Sequence, residues 1–316
     1  MRRLLILILF LFSVIAVTAQ QKGVVNVSVT DMKTGAGYSK ETISQATLGT
    51  PVEIIDHTGY WYKIVTPEGY QGWTTEKNVT PMSKERFSQW KSSERWIVTD
   101  YFVVVYNRAD KCSAVVGDCV MGNILEKGVK ECAEGFVSVV FPDGREGYIE
   151  EKYVADFSVW VDSRNPTEEN IVDVALKFVG FPYLWGGLSP KGFDCSGLVK
   201  FSYFMNGIIL LRDAREQIHT GEALDYSDIL ANLRMGDLVF FGTPATSQKP
   251  AKVTHVGLYI TDGEIVHSSL LVRRNSLLQG REDSYTSKPV VGAARMLGYQ
   301  DRDKDIVTIA NHPWYF

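Results

Sequence analysis

The apolar positions of this chain follow three patterns in succession. Residues 4–17 are apolar except for Ser13. In residues 21–160, short apolar runs alternate with turns that contain Gly and Pro, which is typical of β-strands joined by hairpins. After residue 165, apolar residues recur at helical spacing before further strand-like runs appear. The pattern therefore predicts a β-rich region followed by a mixed α and β domain.

The β-rich region carries one pattern twice. Residues 61–73 and 136–148 align without a gap, at a constant offset of 75 positions. Each copy has a strand-like stretch, a Pro-acid-Gly turn, and then a Gly followed by an aromatic residue. Because Pro presets the φ angle of the turn and Gly accepts a positive φ, each copy predicts a hairpin. Short strands and tight turns of this kind predict two small barrels.

A polar, turn-prone segment at residues 162–166 separates the second copy from the rest of the chain. Asn165 suits the N-cap of a helix, Pro166 its first position, and Glu168 the acidic position of a capping box. The apolar residues that follow fall on one helical face. These signals divide the chain into a leader, two barrels and a third domain, at residues 1–19, 20–82, 83–164 and 165–316.

The first 19 residues have the layout of a secretory signal peptide. Arg2 and Arg3 precede the apolar run, and small residues lead up to Ala19. The run at residues 4–17 is shorter than the roughly 20 residues of a stable transmembrane helix, although a short N-terminal anchor is the alternative. No other segment is long and apolar enough to span a bilayer. We expect cleavage after Ala19 and a secreted or periplasmic mature protein.

The composition narrows the possible classes of protein. With 316 residues, 45% hydrophobic and 22% charged, the chain is neither disordered, nor collagen-like, nor a small disulfide framework. A formal charge of −4 and the lack of a long basic run argue against nucleic-acid binding. Export would permit disulfides, and at most one can form within the cluster of Cys112, Cys119 and Cys132. The sequence leaves that pairing and the oligomeric state open.

The fourth cysteine, Cys195, has different surroundings. The apolar residues after it recur at helical spacing and Gly207 suits the end of that helix, which places Cys195 at a helix N-terminus. There the helix dipole and free N–H groups should lower the thiol pKa and produce a nucleophilic thiolate. A buried structural cysteine is the alternative, but it predicts apolar flanks, whereas Asp194 and Ser196 flank Cys195.

Two histidines provide a base and a residue to orient it. His255 and His267 lie in strand-like runs that are joined by a turn at residues 261–263. A two-residue turn would put the histidines on opposite faces, whereas a three-residue turn makes them diagonal neighbours on one face, within reach of each other. Cys195, His255 and His267 then supply a nucleophile, a base and an orienting residue. Ordinary sheet histidines are the alternative.

Three ordered blocks of sequence carry a family resemblance. Residues 193–199, 236–241 and 254–259 resemble the signature blocks of the NlpC-type papain-like cysteine peptidases. The two repeated β-units resemble bacterial SH3-like domains, which commonly target cell-wall material. The resemblance implies an α+β fold, in which a papain-like cysteine peptidase domain is preceded by two small SH3-like β-barrels.

This combination of domains resembles the secreted γ-D-glutamyl-L-diamino acid endopeptidases. The resemblance implies hydrolysis of murein peptides that have a free N-terminal L-Ala, at the bond between γ-D-Glu and the diamino acid. It implies murein peptides as the substrate and peptidoglycan as a partner of the SH3-like domains. The preferred diamino acid and the physiological role stay open.

The resemblance also assigns substrate-binding roles within the third domain. Trp185 matches an aromatic residue of the pocket wall, and Asp194 and Ser196 match substrate-contacting positions. Asp213 matches an aspartate that helps to hold the free amine of the substrate, and a carboxylate is a suitable partner for an ammonium group. A plain helix N-cap is the alternative role of Asp213, because Glu216 lies three positions further on.

In such enzymes the first SH3-like domain closes the site with an acid and a tyrosine. Glu41 and Tyr70 are the candidates in this chain, and solvated surface roles are the alternative for both. Arg145 occupies the Tyr70 position in the second repeat, so only the first copy fits this role. Ala214 stands where the resemblance leads us to expect Ser, which would remove one hydrogen bond to the substrate.

Three other functions fit the same sequence. They are an endopeptidase acting on intact, crosslinked peptidoglycan, an enzyme with another papain-like reaction such as amidase or acyl transfer chemistry, and a non-catalytic wall-binding protein. The complete set of Cys195, His255 and His267 argues against the last of these. Because the sequence has no metal-ligand spacing and no phosphate-binding loop, it implies no metal and no cofactor.

Overall fold

The computed structural model describes residues 21–316. The predicted signal peptide at residues 1–19 lies outside the described residues. Across residues 21–316, no helix has the length and apolar character needed to cross a bilayer. The same part of the chain forms two seven-stranded sheets, one six-stranded sheet and two short two-stranded ladders.

The first seven-stranded sheet is antiparallel and encloses a small apolar core that includes Val25, Met32 and Ile64. In chain order its strands are β1 (Gln21–Val25), β2 (Val29–Lys33), β3 (Thr42–Thr47), β4 (Pro51–Thr58), β5 (Trp61–Val65), β6 (Gln71–Thr75) and β7 (Val79–Pro81), with a 3-10 turn at Glu76–Asn78 before β7. They lie side by side in the order β3-β2-β6-β5-β4-β1-β7. The core is built from strand positions that point to one face of the sheet.

The second seven-stranded sheet repeats the first strand for strand. Its strands are β8 (Arg95–Val98), β9 (Phe102–Tyr106), β10 (Val115–Val120), β11 (Ile124–Lys127), β12 (Phe136–Val140), β13 (Glu146–Glu150) and β14 (Val154–Asp156), with a 3-10 turn at Glu151–Tyr153. Their order is β10-β9-β13-β12-β11-β8-β14. β12 and β13 stand 75 positions after β5 and β6, so the predicted repeat is confirmed.

One helix follows each sheet, and a third begins the last part of the chain. The helices are α1 (Lys84–Ser92), α2 (Phe157–Asp162) and α3 (Glu168–Leu176). Thr167 caps α3, because its Oγ1 accepts a hydrogen bond from the Asn170 N–H at 3.2 Å. The prediction of Asn165 as the N-cap is wrong. Its carbonyl instead accepts from the Thr167 N–H at 2.9 Å, and this turn moves the start of the helix beyond Pro166.

The remaining part combines helices with a six-stranded sheet. Its elements are β15 (Leu188–Ser189), β16 (Gly192–Phe193), α4 (Cys195–Phe204), β17 (Ile208–Leu210), α5 (Ala214–Gln217), β18 (Glu222–Ala223), α6 (Ile229–Asn232), β19 (Leu238–Thr243), β20 (Lys252–Tyr259), β21 (Glu264–Ser269), β22 (Leu271–Ser276), β23 (Val290–Arg295) and β24 (Ile306–Thr308). The sheet order is β18-β23-β19-β20-β21-β22. Helix α4 packs on β20 and β21, and its Leu198 and Phe201 share one core with Val256 and Val266. The predicted α+β fold is confirmed.

Charged side chains join the three sheets. Lys191 Nζ, in the turn between β15 and β16, donates to Ser28 Oγ at 2.8 Å and to Asp118 Oδ2 at 2.7 Å. Ser28 lies in the bend between β1 and β2 of the first sheet, and Asp118 lies in β10 of the second. Arg145 also joins those sheets, because its guanidinium donates to the Asn26 carbonyl at 2.7 Å. The position that Tyr70 holds in the first copy therefore has a linking role in the second.

The C-terminal residues pack back onto the linker helices. Tyr315 is buried, and its carbonyl accepts a hydrogen bond from Arg95 at 2.8 Å. The Phe316 ring stacks on Phe157 of α2, with centroids 5.5 Å apart. The C-terminal residues thus connect the last domain to strand β8 and helix α2.

All four cysteines are free thiols. Cys119 is buried in the core of the second sheet, Cys112 is exposed and Cys132 is partly exposed. The cluster that the sequence offered for a disulfide is therefore unpaired in this structure.

A buried ion pair holds the first barrel against helix α4. Lys200 Nζ lies 3.4 Å from Glu68 Oε2, and the two side chains are only 7% and 6% exposed. Lys200 also donates to the Leu210 carbonyl at 3.0 Å. Because neither charge reaches much water, each depends on the other for compensation.

Replacing Glu68 by Gln should destabilise the protein by about 3 kcal/mol, because Lys200 stays buried without its counter-charge. The free energy of unfolding from urea titrations at pH 7 tests this. Asp143→Asn is the matched control, since Asp143 holds the same turn position in the second repeat but is 30% exposed beside Arg145. The control should lose less than about 1 kcal/mol. Equal losses in the two variants would contradict the importance of the buried pair.

Candidate active site

Cys195 is the first residue of α4, as the sequence predicts. Asp194 is the N-cap, and its Oδ1 accepts a hydrogen bond from the Gly197 N–H at 2.7 Å. Its Oδ2 accepts from the Gly186 N–H at 3.0 Å, so one carboxylate holds both the helix and the loop before it. Gly197 is required here, since a Cβ at this position would lie 2.0 Å from the Gly187 carbonyl oxygen.

Arg212 also holds the start of α4 in place, through hydrogen bonds to Asp194 and Ser196. Its role was not predicted from the sequence. Its guanidinium is fully buried and donates to Asp194 at 2.6 and 3.1 Å, and to Ser196 Oγ at 2.9 Å. Arg212 Nε donates to Ser44 Oγ of the first barrel at 2.9 Å. The only sequence signal is an arginine two positions after the end of a buried apolar strand, β17.

Asp194 and Ser196, which the resemblance matched to substrate-contacting positions, are both part of this hydrogen-bond network. Asp194 and Ser196 are 6% and 4% exposed, and their side chains point into the network with Arg212. Asp194 Oδ1 accepts three hydrogen bonds from protein donors and Oδ2 accepts two. Their side chains are therefore better suited to positioning the helix than to contacting a ligand directly.

The hairpin of β20 and β21 has the register of a three-residue turn. Leu258 pairs with Val266 and Tyr259 with Ile265, which leaves residues 261–263 as the turn. Asp262 and Gly263 both adopt positive φ angles, 49° and 78°. The three-residue alternative is therefore confirmed, and both histidines lie on one face.

A chain of hydrogen bonds fixes the protonation pattern of the histidine pair. Asn275 Nδ2 donates to the Asp283 carbonyl at 2.6 Å, so Asn275 Oδ1 is the acceptor for His267 Nε2 at 2.8 Å. With its proton on Nε2, neutral His267 accepts at Nδ1 from His255 Nε2, 2.6 Å away. The Nδ1 of neutral His255 then carries a lone pair. The sequence analysis missed Asn275, because its contact depends on strand β22 lying beside β21.

An aromatic side chain covers the two histidine rings. Tyr285 stacks on His255 with centroids 5.5 Å apart and an interplanar angle of 25°. Its ring also makes an edge contact with His267 at 4.9 Å. Tyr285 precedes β23 in a long loop, where the sequence gives no periodic signal. The ring keeps water away from one side of the pair.

Burial sets the ionisation of the site. It raises the pKa of Cys195 to about 11, with the Asp194 charge as the second cause, although backbone N–H groups of Val256 and Ser196 act in the opposite direction. The expected lowering of this pKa is therefore wrong for the described structure, because desolvation and a neighbouring carboxylate outweigh the helix N-terminus. Burial lowers the pKa of His255 to about 3 and that of His267 to about 4.

Hydrogen-bond donors remain free beside the thiol. In the first turn of α4, the N–H groups of Gly197 and Leu198 already bond to Asp194. The Cys195 N–H has no backbone or side-chain acceptor within the described chain, whereas the Ser196 N–H interacts with the Cys195 sulfur. The half-buried Tyr183 is a further neighbour, since burial and then the Cys195 charge raise its pKa to about 12. These groups could hold a developing oxyanion.

The first barrel brings its predicted residues to the same region. Tyr70 Oη donates a long hydrogen bond of 3.4 Å to Asp213 Oδ2. Trp185 Nε1 donates to Glu41 Oε1 at 3.0 Å. Burial and the Asp213 charge raise the pKa of Tyr70 to about 12, which keeps its hydroxyl protonated. Both barrel residues therefore meet the residues predicted to line the site.

Asp213 also has the helix-capping geometry that was the alternative. Glu216 Oε2 accepts a hydrogen bond from the Asp213 N–H at 3.2 Å, as in a capping box at the start of α5. The exposed Arg215 donates to Asp213 Oδ2 at 3.1 Å. A cap and a ligand contact are compatible here, because the Asp213 carboxylate is 21% exposed.

Comparison with known proteins supports both parts of this architecture. The NlpC/P60 family model matches residues 180–295, and the bacterial SH3 domain model matches residues 28–80. A gamma-D-glutamyl-L-lysine dipeptidyl-peptidase of Bacillus cereus (strain ATCC 10987 / NRS 248) is 30% identical over 263 residues, which cover 80% of this chain and 75% of the relative. A protein of the same name from Bacillus subtilis (strain 168) is 30% identical over 241 residues, 71% of each chain.

A solved structure agrees at the level of the fold. The crystal structure of an NlpC/P60 family protein from Bacillus cereus ATCC 10987 superposes with a TM-score of 0.70 and 24% identity, over 87% of this chain and 99% of that chain. A thiol at a helix N-terminus beside a histidine pair on an antiparallel sheet defines the class of papain-like cysteine peptidases. The chain belongs to the NlpC/P60 family of these hydrolases.

The histidine pair should stay neutral across the mildly acidic range, because burial lowers both pKa values below the ordinary value for histidine. The ring signals of His255 and His267 in NMR should therefore not titrate between pH 8 and 5. Asn275→Asp is the control, since a carboxylate beside His267 Nε2 should raise the pKa of that ring. A wild-type transition near pH 6.5 would contradict the buried, neutral pair.

Proposed function

We propose that this protein is a cysteine endopeptidase that hydrolyses the γ-D-glutamyl-L-diamino acid bond of murein peptides with a free N-terminal L-Ala. The names of the relatives from Bacillus cereus and Bacillus subtilis support the bond class. The signal-like leader and the wall-related family support export and a role in cell-wall peptide turnover or recycling. Under this proposal the first barrel serves the peptidase site, and peptidoglycan is a further partner of the barrels.

The meeting of barrel and peptidase residues carries the proposal. Asp213 and Glu41 supply carboxylates from two different units, and each contacts an aromatic residue from the other unit, Tyr70 and Trp185. An ammonium group is the natural partner of such carboxylates, and the aromatic rings limit the space around it. A site closed by the barrel in this way suits a short peptide with a free amino end better than an internal segment of a polymer.

The proposed nucleophile is Cys195 and the proposed base is His255. At neutral pH the thiol is protonated, so His255 Nδ1 accepts its proton as the sulfur attacks the γ-glutamyl carbonyl carbon. His267 accepts from His255 Nε2 and stabilises the imidazolium that forms, while Asn275 holds the ring of His267 in place. In this proposal the Cys195 N–H and the Tyr183 hydroxyl stabilise the oxyanion.

The second half of the reaction uses the same groups in reverse. Protonated His255 gives its proton to the departing amine of the diamino acid, and the acyl group stays on Cys195 as a thioester. Neutral His255 then removes a proton from water as the water oxygen attacks the thioester carbonyl. The C–S bond breaks, the L-Ala-D-Glu dipeptide is released, and the Cys195 sulfur takes the proton back from His255. No group besides these side chains and water is needed for the atoms and charges to balance.

The proposal predicts cleavage of L-Ala-γ-D-Glu-meso-diaminopimelate into L-Ala-D-Glu and the free diamino acid, detected by mass spectrometry. The N-acetylated peptide should react at least about 100-fold more slowly, because it has lost the ammonium group that the carboxylates bind. Cys195→Ala should keep the fold and abolish turnover. Equal cleavage of both peptides would favour an endopeptidase on intact peptidoglycan, and cleavage of neither would favour a wall-binding protein or another acyl-group reaction.

Tyr70→Phe should lower kcat/KM on the free-amine peptide by about 3- to 10-fold, because it removes the hydrogen bond that orients Asp213. Rates on the N-acetylated peptide should not change further. Tyr60→Phe is the matched control on the same barrel, since Tyr60 is 73% exposed, and it should leave both rates unchanged. The same loss on both peptides would show that Tyr70 has no role in recognising the amine.

A further inference from the structure

An arginine whose side chain has no partner among residues 21–316 stands beside the histidine pair. Arg273 of β22 lies directly opposite His267 of β21 in the sheet register. Directly opposed residues of antiparallel strands point to the same face, so Arg273 shares the active-site face with His267 and Asn275. The mechanism proposed above assigns no role to this guanidinium.

The Arg273 side chain has none of the polar contacts within residues 21–316 that would indicate a structural role. It makes no hydrogen bond or ion pair with another side chain or backbone group of residues 21–316, and its Nε is buried without an acceptor. Its neighbour Arg274 pairs with Glu264, and the buried Arg212 has four hydrogen bonds. A half-buried guanidinium normally finds an acceptor, so an unsatisfied one at the edge of a site points to an anionic ligand.

The positive charge of Arg273 acts on the ionisation of the two histidines. After burial, it is among the causes that lower the pKa of both His255 and His267. Lys288 provides a second cation on this side, where its Nζ donates to Thr254 Oγ1 at 2.9 Å and has no acidic partner within the described chain. The histidine side of the site therefore carries positive charge without compensation.

The carboxylates of Glu41 and Asp213 lie where the first barrel meets the peptidase part. Arg273 lies on β22, beside the strand that carries His267. In the proposed function the ammonium group binds at these carboxylates and His255 protonates the leaving amine. The leaving residue then lies on the histidine side of the site, where β22 runs beside β21. We propose that Arg273 forms a binding subsite for a carboxylate of the leaving amino acid, held by a two-point guanidinium–carboxylate contact. This inference rests on the proposed function for the direction in which the peptide lies.

Two carboxylates of the leaving residue have the required chemistry. One is the α-carboxylate, which L-lysine and meso-diaminopimelate share, and the other is the distal carboxylate, which only meso-diaminopimelate has. Three peptides separate the sources: L-Ala-γ-D-Glu linked to meso-diaminopimelate, to L-lysine, or to L-lysine amide. The amide has no carboxylate on its leaving residue.

The test compares Arg273→Gln with Arg274→Gln, which removes an equal charge one position away, where the side chain points to the other face of the strand. In the Cys195→Ala background, calorimetry gives the affinity for each peptide without turnover. Arg273→Gln should weaken binding of the meso-diaminopimelate peptide by about 10- to 100-fold and leave the lysine amide peptide within about 2-fold. Arg274→Gln should leave all three affinities unchanged.

The lysine peptide identifies the carboxylate. A loss equal to that of the diaminopimelate peptide assigns Arg273 to the α-carboxylate, and no loss assigns it to the distal carboxylate and to selection of diaminopimelate. Equal losses on all three peptides, or none on any, would overturn the subsite. The wild-type cleavage assay is scored separately, so a protein that binds by this pattern but does not cleave would refute the proposed function and leave the subsite standing.

Discussion

Arg212 donates hydrogen bonds of 2.6 and 3.1 Å to the two oxygens of Asp194, at a place where the guanidinium is shielded from water. Burying two charges is favourable only when the remaining donors and acceptors are also satisfied. Here the Asp194 carboxylate accepts hydrogen bonds from the N–H groups of Gly197 and Gly186. The Arg212 guanidinium donates to two serine hydroxyls, one of them from the first barrel. The start of α4, the loop before it and the barrel therefore depend on one pair.

The same pair shapes the chemistry of the thiol. The Asp194 carboxylate that caps the helix lies next to Cys195 and acts with burial against the thiolate. A helix N-terminus alone would favour the thiolate, but here it is outweighed, so the resting thiol keeps its proton. A neutral His255 with a lone pair on Nδ1 complements such a thiol. Under the proposed function, the proton therefore passes to His255 during the attack of the sulfur and not before it.

Local patterns were sufficient to predict much of the fold and the candidate site. The spacing around Cys195 located the helix start, because that signal lies within a few residues of the feature it determines. The turn near residues 261–263 left two registers open for the histidines, and the structure has the three-residue turn. The positions of Arg212, Asn275 and Arg273 in the site could not be predicted from the sequence. Their neighbours come from separate elements, and the hydrophobic pattern does not indicate such contacts. The thiol pKa was mispredicted for the same reason, as burial depends on the whole assembly.

The two repeats show how one fold can acquire two roles. In the first copy, Tyr70 reaches Asp213 of the peptidase part and Glu68 reaches Lys200 of α4. In the second copy the corresponding turn contacts the first barrel, because Arg145 donates a hydrogen bond to the Asn26 carbonyl. Lys191 adds a contact from the peptidase part to both barrels. The second barrel contributes none of the site residues identified here, yet it braces the barrel that does. Changes in its contacts would therefore reach the site through the position of the first barrel.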